Sequence, residues 1–205
     1  VIGACAFGAW TAEHLRRSGH RITLVDMEGP AHSRASSGGE SRMTRGAYGR
    51  DAIYTRMALD SLKEWKALSA TSGLPIFVPH GVLFFFPSEE AYLTDSVAAH
   101  RALGLPTELL SPAEMSQRFP MIDFTGVHAG MFEPGFGALM ARRAVQTLVK
   151  NFVAAGGEFR HEWANLPQHG GPLKSIQFAS GTRLEADAFV FALGPWLPKA
   201  FPELL

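Results

Sequence analysis

The first 26 residues constrain the fold more than any other part of the chain. Val1-Ile2 leads into Gly3-Ala4-Cys5-Ala6-Phe7-Gly8, a run of helical character follows from Ala9 to Ser18, and Arg21-Ile22-Thr23-Leu24-Val25 ends on Asp26. Strand, tight turn, helix, strand, acid is the order required of a βαβ unit that holds a dinucleotide. Gly3 permits the sharp exit from the strand, and Gly8 lets the helix pack close to the sheet. The helix N-terminus then offers unpaired N–H groups and partial positive charge to a pyrophosphate. Asp26 is placed to accept hydrogen bonds from an adenosine ribose. The pattern departs at Cys5, where glycine is expected because the backbone comes closest to the phosphates there. The thiol is expected to weaken or displace the cofactor. A first strand normally has several residues before its turn and this one has Val1 and Ile2, so the sequence reads as a piece of a longer protein.

Composition narrows the class. With 205 residues, 46% hydrophobic and 19% charged, the chain suits one large globular domain or two small ones. Lys and Arg balance Asp and Glu to a net charge of zero, and no basic stripe points to nucleic acid. A single cysteine excludes an intrachain disulfide framework and a cysteine-based zinc site. The eight histidines are scattered without metal-ligand spacing, so solvated or capping roles and no metal site are expected. No apolar run approaches a membrane span, and a cytoplasmic location is the default. Neither a G-x-S-x-G turn nor a P-loop is present.

Along the chain, residues 29–50 are rich in Gly, Ser and Arg and read as a long loop, a kind that is usually functional or disordered. Asp51–Ala70 has helical spacing, with Ile53, Met57, Leu59, Leu62, Trp65 and Leu68 on one expected apolar face. Ile76–Phe86 is strand-like and broken at Pro79-His80-Gly81. Helices are expected over Ser88–Leu103, from Ser111-Pro112-Ala113-Glu114 to Phe119, and over Leu139–Ala155 before Gly156-Gly157. Strands are expected over Val127–Phe132, Glu158–Ala164, Lys174–Ala179 and Thr182–Ala186, with turns at Gly170-Gly171 and Gly181. The apolar run Ala188–Gly194 suits a central parallel strand. Nucleotide-domain material thus stands at both ends, with a different unit between.

Four motifs carry a resemblance: the Gly turn ending at Asp26; the loop Ser36-Ser37-Gly38-Gly39-Glu40-Ser41-Arg42-Met43-Thr44-Arg45-Gly46-Ala47-Tyr48-Gly49; the turn Phe132-Glu133-Pro134 with Gly137; and Ala192-Leu193-Gly194-Pro195-Trp196. Together they resemble the N-terminal half of the FAD-dependent amine oxidases of the D-amino-acid oxidase superfamily, in the sarcosine oxidase and N-methyltryptophan oxidase branch. The resemblance implies an α/β fold: a Rossmann-like doubly wound FAD-binding domain over 1–78 and 137–205, with part of an inserted α+β substrate domain over 79–136. It implies FAD as cofactor, held by Gly3, Cys5, Ala6, Phe7, Gly8, Asp26, Ser36, Ser37, Gly39, Glu40, Ser41, Gly194 and Trp196.

An amino-acid carboxylate is best matched by a guanidinium, which forks two hydrogen bonds onto its two oxygens. By the resemblance, Arg45 binds the substrate carboxylate and Arg42 stands beside the isoalloxazine ring, stabilising negative charge on the reduced flavin. The implied partners are an N-methyl or secondary amino acid and oxygen, with imine and hydrogen peroxide as products. The family's covalent flavin cysteine and oxygen-activating lysine are expected beyond Leu205. Two rivals stay open: a truncated, non-catalytic nucleotide-binding remnant or interaction module, and a nicotinamide dehydrogenase built on the same βαβ unit.

Overall fold

A computed structural model of the protein describes residues 1–167 and 171–203. His169 and Gly170, and with Gly170 part of the expected turn, lie outside the described residues. Contacts divide the chain into two compact units, 1–41 with 140–205, and 42–139. The helix after residue 51 belongs to the middle unit, whose bounds differ from the 79–136 that the resemblance implies for the substrate domain.

The first unit opens with α1 (Ala6–Arg17) and β1 (Thr23–Asp26). The second contains β2 (Arg42–Thr44), α2 (Ala52–Ser72), β3 (Phe77–Val78), β4 (Val82–Phe86), α3 (Ala91–Ala102), β5 (Glu108–Leu110), α4 (Pro112–Arg118), β6 (Ala129–Glu133) and β7 (Gly137–Leu139). The chain then returns to the first unit with α5 (Ala141–Ala154), β8 (Glu158–His161), β9 (Ser175–Gln177), β10 (Arg183–Glu185) and the short α6 (Leu197–Ala200).

The core of the first unit is a parallel arrangement. Ile2 bridges Phe191 on one side and Val25 of β1 on the other, and β1 runs parallel to β8 from Thr23↔Glu158 to Asp26↔His161. A parallel pair needs a crossover, and α1 supplies the one between Ile2 and β1. Helix α1 packs against α5, and it buries Gly8, Ala9 and Ala12. Trp10 and Leu15 are only half-buried. Glu13 takes a buried place instead, tied to Arg16 at 2.9 Å and Arg17 at 2.8 Å one turn on. Helix α5 buries Ala141, Ala144, Val145, Leu148, Val149 and Phe152, a continuous 3.6-residue stripe. Gly156 stops it at φ +93. The antiparallel β9–β10 hairpin adds Ile176 and Phe178 to a core with Ile2, Val25 and Ala164.

One expectation is corrected here. The run Ala188–Gly194 does not form an extended central strand; its ladder is the single bridge at Phe191, held by Ile2 N–H to Val190 O and Ala192 N–H to Ile2 O, both 2.8 Å. The partner present offers only Val1 and Ile2 before the turn at Gly3, so the ladder is one bridge long.

The second unit is antiparallel, with sheets ordered β4-β6-β5 and β2-β7-β3. Ala47, Phe86, Leu93 and Met131 form a core cluster. Helix α4 starts on the expected signal: Ser111 and Glu114 form a reciprocal capping box, with Pro112 in the first turn. Helix α3 begins at Ala91, later than Ser88, and its cap position is Glu90 with no side-chain cap. In α2, Leu62, Trp65 and Leu68 are buried as expected, whereas Ile53 and Met57 are exposed and Thr55 is buried. Among the described residues no helix is long and apolar enough to cross a membrane.

Candidate functional site

The opening turn lines a cleft of about 980 Å³ in the first unit. Gly3 leaves the strand at φ +104, and a Cβ there would lie 2.3 Å from the Ala192 carbonyl oxygen. At Gly8 a Cβ would lie 1.8 Å from the Gly3 oxygen, so turn and helix touch through bare backbone. Cys5 is different. It caps α1 with an ordinary extended backbone (φ −83, ψ −172), its side chain makes no capping hydrogen bond, and no acid lies in the first turn. The backbone therefore needs no glycine at residue 5, and the departure adds only a thiol to the cleft wall. Helix α1 presents its positive end to the cleft through Ala6 and Phe7.

Asp26, at the end of β1, also lines the cleft. One carboxyl oxygen accepts from Ala4 N–H at 2.8 Å, and the other from Glu28 N–H at 2.8 Å and Gly29 N–H at 2.9 Å. Asp26 thus staples the glycine turn to the loop after β1. A carboxylate has about four acceptor sites, so three backbone donors leave room for a further hydroxyl. Ser37 reaches the same place: its hydroxyl accepts the Ala6 N–H at 3.2 Å, satisfying a helix amide from outside the helix.

Of the residues expected to hold the cofactor, Gly3, Cys5, Ala6, Phe7, Asp26, Ser36, Ser37, Gly194 and Trp196 are brought to the cleft, and Gly8 stands directly behind it. Gly39, Glu40 and Ser41 are not part of its lining. That stretch is instead fixed by Arg142 of α5, which donates to Gly38 O at 2.8 and 2.6 Å and lies 3.6 Å from Glu40.

Sequence reasoning missed several cleft residues. Arg34 stacks its guanidinium 5.7 Å over the Trp196 ring and pairs with Glu28 at 3.1 Å. His32 lies 6.1 Å from the same indole, and Trp163 joins from the segment after β8. Arg34 had one available signal, the arginine richness of the loop; Trp163 had none. The apolar walls, the α1 N-terminus and the strand-end carboxylate of Asp26 fit an FAD-sized dinucleotide, with the Cys5 thiol on the cleft wall.

Arg42 and Arg45 belong to the second unit. Arg42 opens β2, paired with Leu139 of β7, and is exposed. Arg45 follows the strand, exposed, with its guanidinium 5.1 Å from the Tyr48 ring centroid. The loop beneath it is firmly anchored. Thr44 Oγ1 donates to Gly137 O at 2.9 Å, Tyr92 OH donates to Ala47 O at 2.7 Å, and Gly49 N–H donates to Ser96 Oγ at 2.9 Å. Gly46 N–H points to the carboxyl of Glu133, a wholly buried residue. Burial pushes Glu133 up to about 7, against the pull of the Gly46 and Ala47 amides and of Arg45. His100, expected to be solvated or capping, is buried beside it, and burial pushes its imidazole below the usual range.

A parallel α/β unit with a glycine turn, a helix N-terminus and a strand-end acid around one cleft defines a dinucleotide-binding protein of the Rossmann type. The chain belongs to the FAD dependent oxidoreductase family (DAO), whose profile matches residues 1–205. N-methyl-L-tryptophan oxidase of Citrobacter koseri is 27% identical over 208 residues, covering 100% of this chain and 55% of that protein. Monomeric sarcosine oxidase of a Bacillus species is 28% identical over 206 residues, covering 100% and 53%. The chain spans about half the length of these relatives. In fold it is similar to L-proline dehydrogenase of P. horikoshii, with TM-score 0.85 and 20% identity over 98% of this chain and 54% of the other. Glycine oxidase of Geobacillus kaustophilus gives TM-score 0.80 at 20% identity, over 99% and 56%.

Proposed function

We propose that this chain is the FAD-binding part of an oxidoreductase that oxidises the C–N bond of N-methyl or other secondary amino acids, with oxygen reduced to hydrogen peroxide. One observation carries the reading: the α1 N-terminus, the Gly3 turn and the Asp26 carboxylate converge on a single cleft. Bound FAD supplies a two-electron acceptor. The chain's own residues do the rest. The α1 amides and dipole offset pyrophosphate charge. Asp26 keeps acceptor capacity for a ribose hydroxyl. Arg45 forks onto the substrate carboxylate from an anchored loop, and Arg42 offsets negative charge on the reduced ring. The sarcosine and N-methyltryptophan oxidases among the relatives support the amine class.

The test is flavin absorption of the complete purified protein, followed by anaerobic mixing with sarcosine or N-methyltryptophan. Bound flavin that bleaches on mixing is the expected result. Arg45→Gln should keep the flavin and lower the reduction efficiency about 100-fold. A folded, colourless protein would overturn the proposal in favour of a non-catalytic remnant.

A further inference from the structure

Beneath the Arg45 loop lies a carboxyl–imidazole pair that the proposed reaction does not use. Glu133 ends β6 and His100 stands near the end of α3, both without solvent exposure. The two carboxyl oxygens share the Gly46 N–H, at 3.1 and 3.0 Å. His100 Nε2 is 3.3 Å from one of them and lies by the Gly46 backbone, with no well-formed hydrogen bond among the described residues. Its Nδ1 is held 2.8 Å from Thr107 Oγ1, which fixes the ring. A buried carboxylate so short of donors is poorly compensated. Space is fixed as well as charge. A Cβ on Gly46 would lie 2.7 Å from Leu105 and 2.8 Å from Phe136, so the backbone over Glu133 has no room for a side chain.

We propose that Glu133, backed by His100, is a positioning residue for the Arg45 loop, and that its protonation state sets how strongly Arg45 holds an anion. This rests on the reading that Arg45 takes the substrate carboxylate. A neutral Glu133 fixes the Gly46 amide while leaving the field of Arg45 to the ligand. An ionised Glu133 competes for that field. The groups facing it are Arg45 and the Gly46 and Ala47 amides from the loop, and His100 and Tyr92 from α3. Of these Arg45 carries the fixed charge, while His100 is held towards its neutral form by burial. Because burial raises Glu133 to about 7, ionisation falls within the working range of an enzyme. Anion affinity at Arg45 is therefore expected to fall roughly three- to tenfold between about pH 6 and pH 8.

The probe is acetate, a carboxylate with no oxidisable amine, titrated into the flavin-loaded complete protein and followed by the change in flavin absorption. Wild type should bind more weakly as pH rises; Glu133→Gln should bind with little pH dependence; Arg45→Gln should bind weakly throughout. If Glu133→Gln keeps the wild-type pH dependence while Arg45→Gln loses acetate, this inference fails and the assignment of Arg45 stands. If Arg45→Gln binds acetate like wild type, the assignment of Arg45 itself fails. The side-chain carboxyl 13C resonance of Glu133 in the unaltered protein serves should the Gln variant not fold. A titration near 7 that tracks acetate affinity supports the proposal, and a carboxyl already ionised at about pH 5 overturns it.

Discussion

Gly3→Ala and Cys5→Gly, made two residues apart in one turn, should behave in opposite ways. At Gly3 the new methyl meets two penalties. The backbone sits at φ +104, where an L side chain costs about 1–2 kcal/mol. The Cβ would also stand 2.3 Å from Ala192 O and 2.9 Å from Ala192 C, which are main-chain atoms of the crossing segment and cannot rotate away. Relieving such an overlap costs about 1–3 kcal/mol. Together the loss is about 2–5 kcal/mol, a large share of the roughly 5–15 kcal/mol that holds a domain together. At Cys5 the backbone is already ordinary, and glycine is an acceptable helix cap, so Cys5→Gly should change stability by less than about 1 kcal/mol. It should also strengthen FAD retention, because the thiol leaves the cleft wall. Urea denaturation with flavin release as a second probe measures both. A Gly3→Ala protein as stable as wild type, or a Cys5→Gly protein that unfolds like Gly3→Ala, would refute the assignment of the turn.

Asp26→Ala removes the acceptor for three backbone N–H groups and should cost about 2–4 kcal/mol together with flavin binding, measured by denaturation and by flavin absorption. Glu133 should make the fold more stable in acid. Its folded value lies above the ordinary 4.5, so its contribution is full below that pH and is lost as pH climbs to about 7, on the order of 3 kcal/mol. Glu133→Gln should flatten that part of a pH–stability curve, and an unchanged slope would show that another group is responsible. Glu13 has the opposite sign. Burial raises it, but hydrogen bonds from Arg16 and Arg17 outweigh burial and hold the carboxyl below the ordinary range. Its contribution is present above the ordinary Glu value and disappears as pH falls through the lowered one, so wild type and Glu13→Gln should converge in acid unfolding.

Local chemistry was readable wherever it acted between neighbours in sequence. The glycine turn, the stop at Gly156, the Ser111–Glu114 capping box and the apolar stripe of α5 all stand where the pattern put them. The stripe of α2 shows the limit. Periodicity groups Ile53 and Met57 with Leu62, Trp65 and Leu68, but whether a face is covered depends on what packs there, and the first turns of α2 stay exposed. The Ala188–Gly194 run shows another. Its apolarity suits a strand, while the partner present offers only Val1 and Ile2 before the turn at Gly3.

The chain alone determined that a strand, a glycine turn, a helix and an acid would make a nucleotide cradle, because each of those residues acts through its own backbone angle, helix dipole or strand position. Folding alone decided that Asp26 would spend three acceptor sites stapling the turn, that Arg34 would lie over Trp196, and that Glu133 would sit under Gly46 from 87 residues away. Those pairings depend on burial and on meetings between distant segments, and neither exists until the chain is packed.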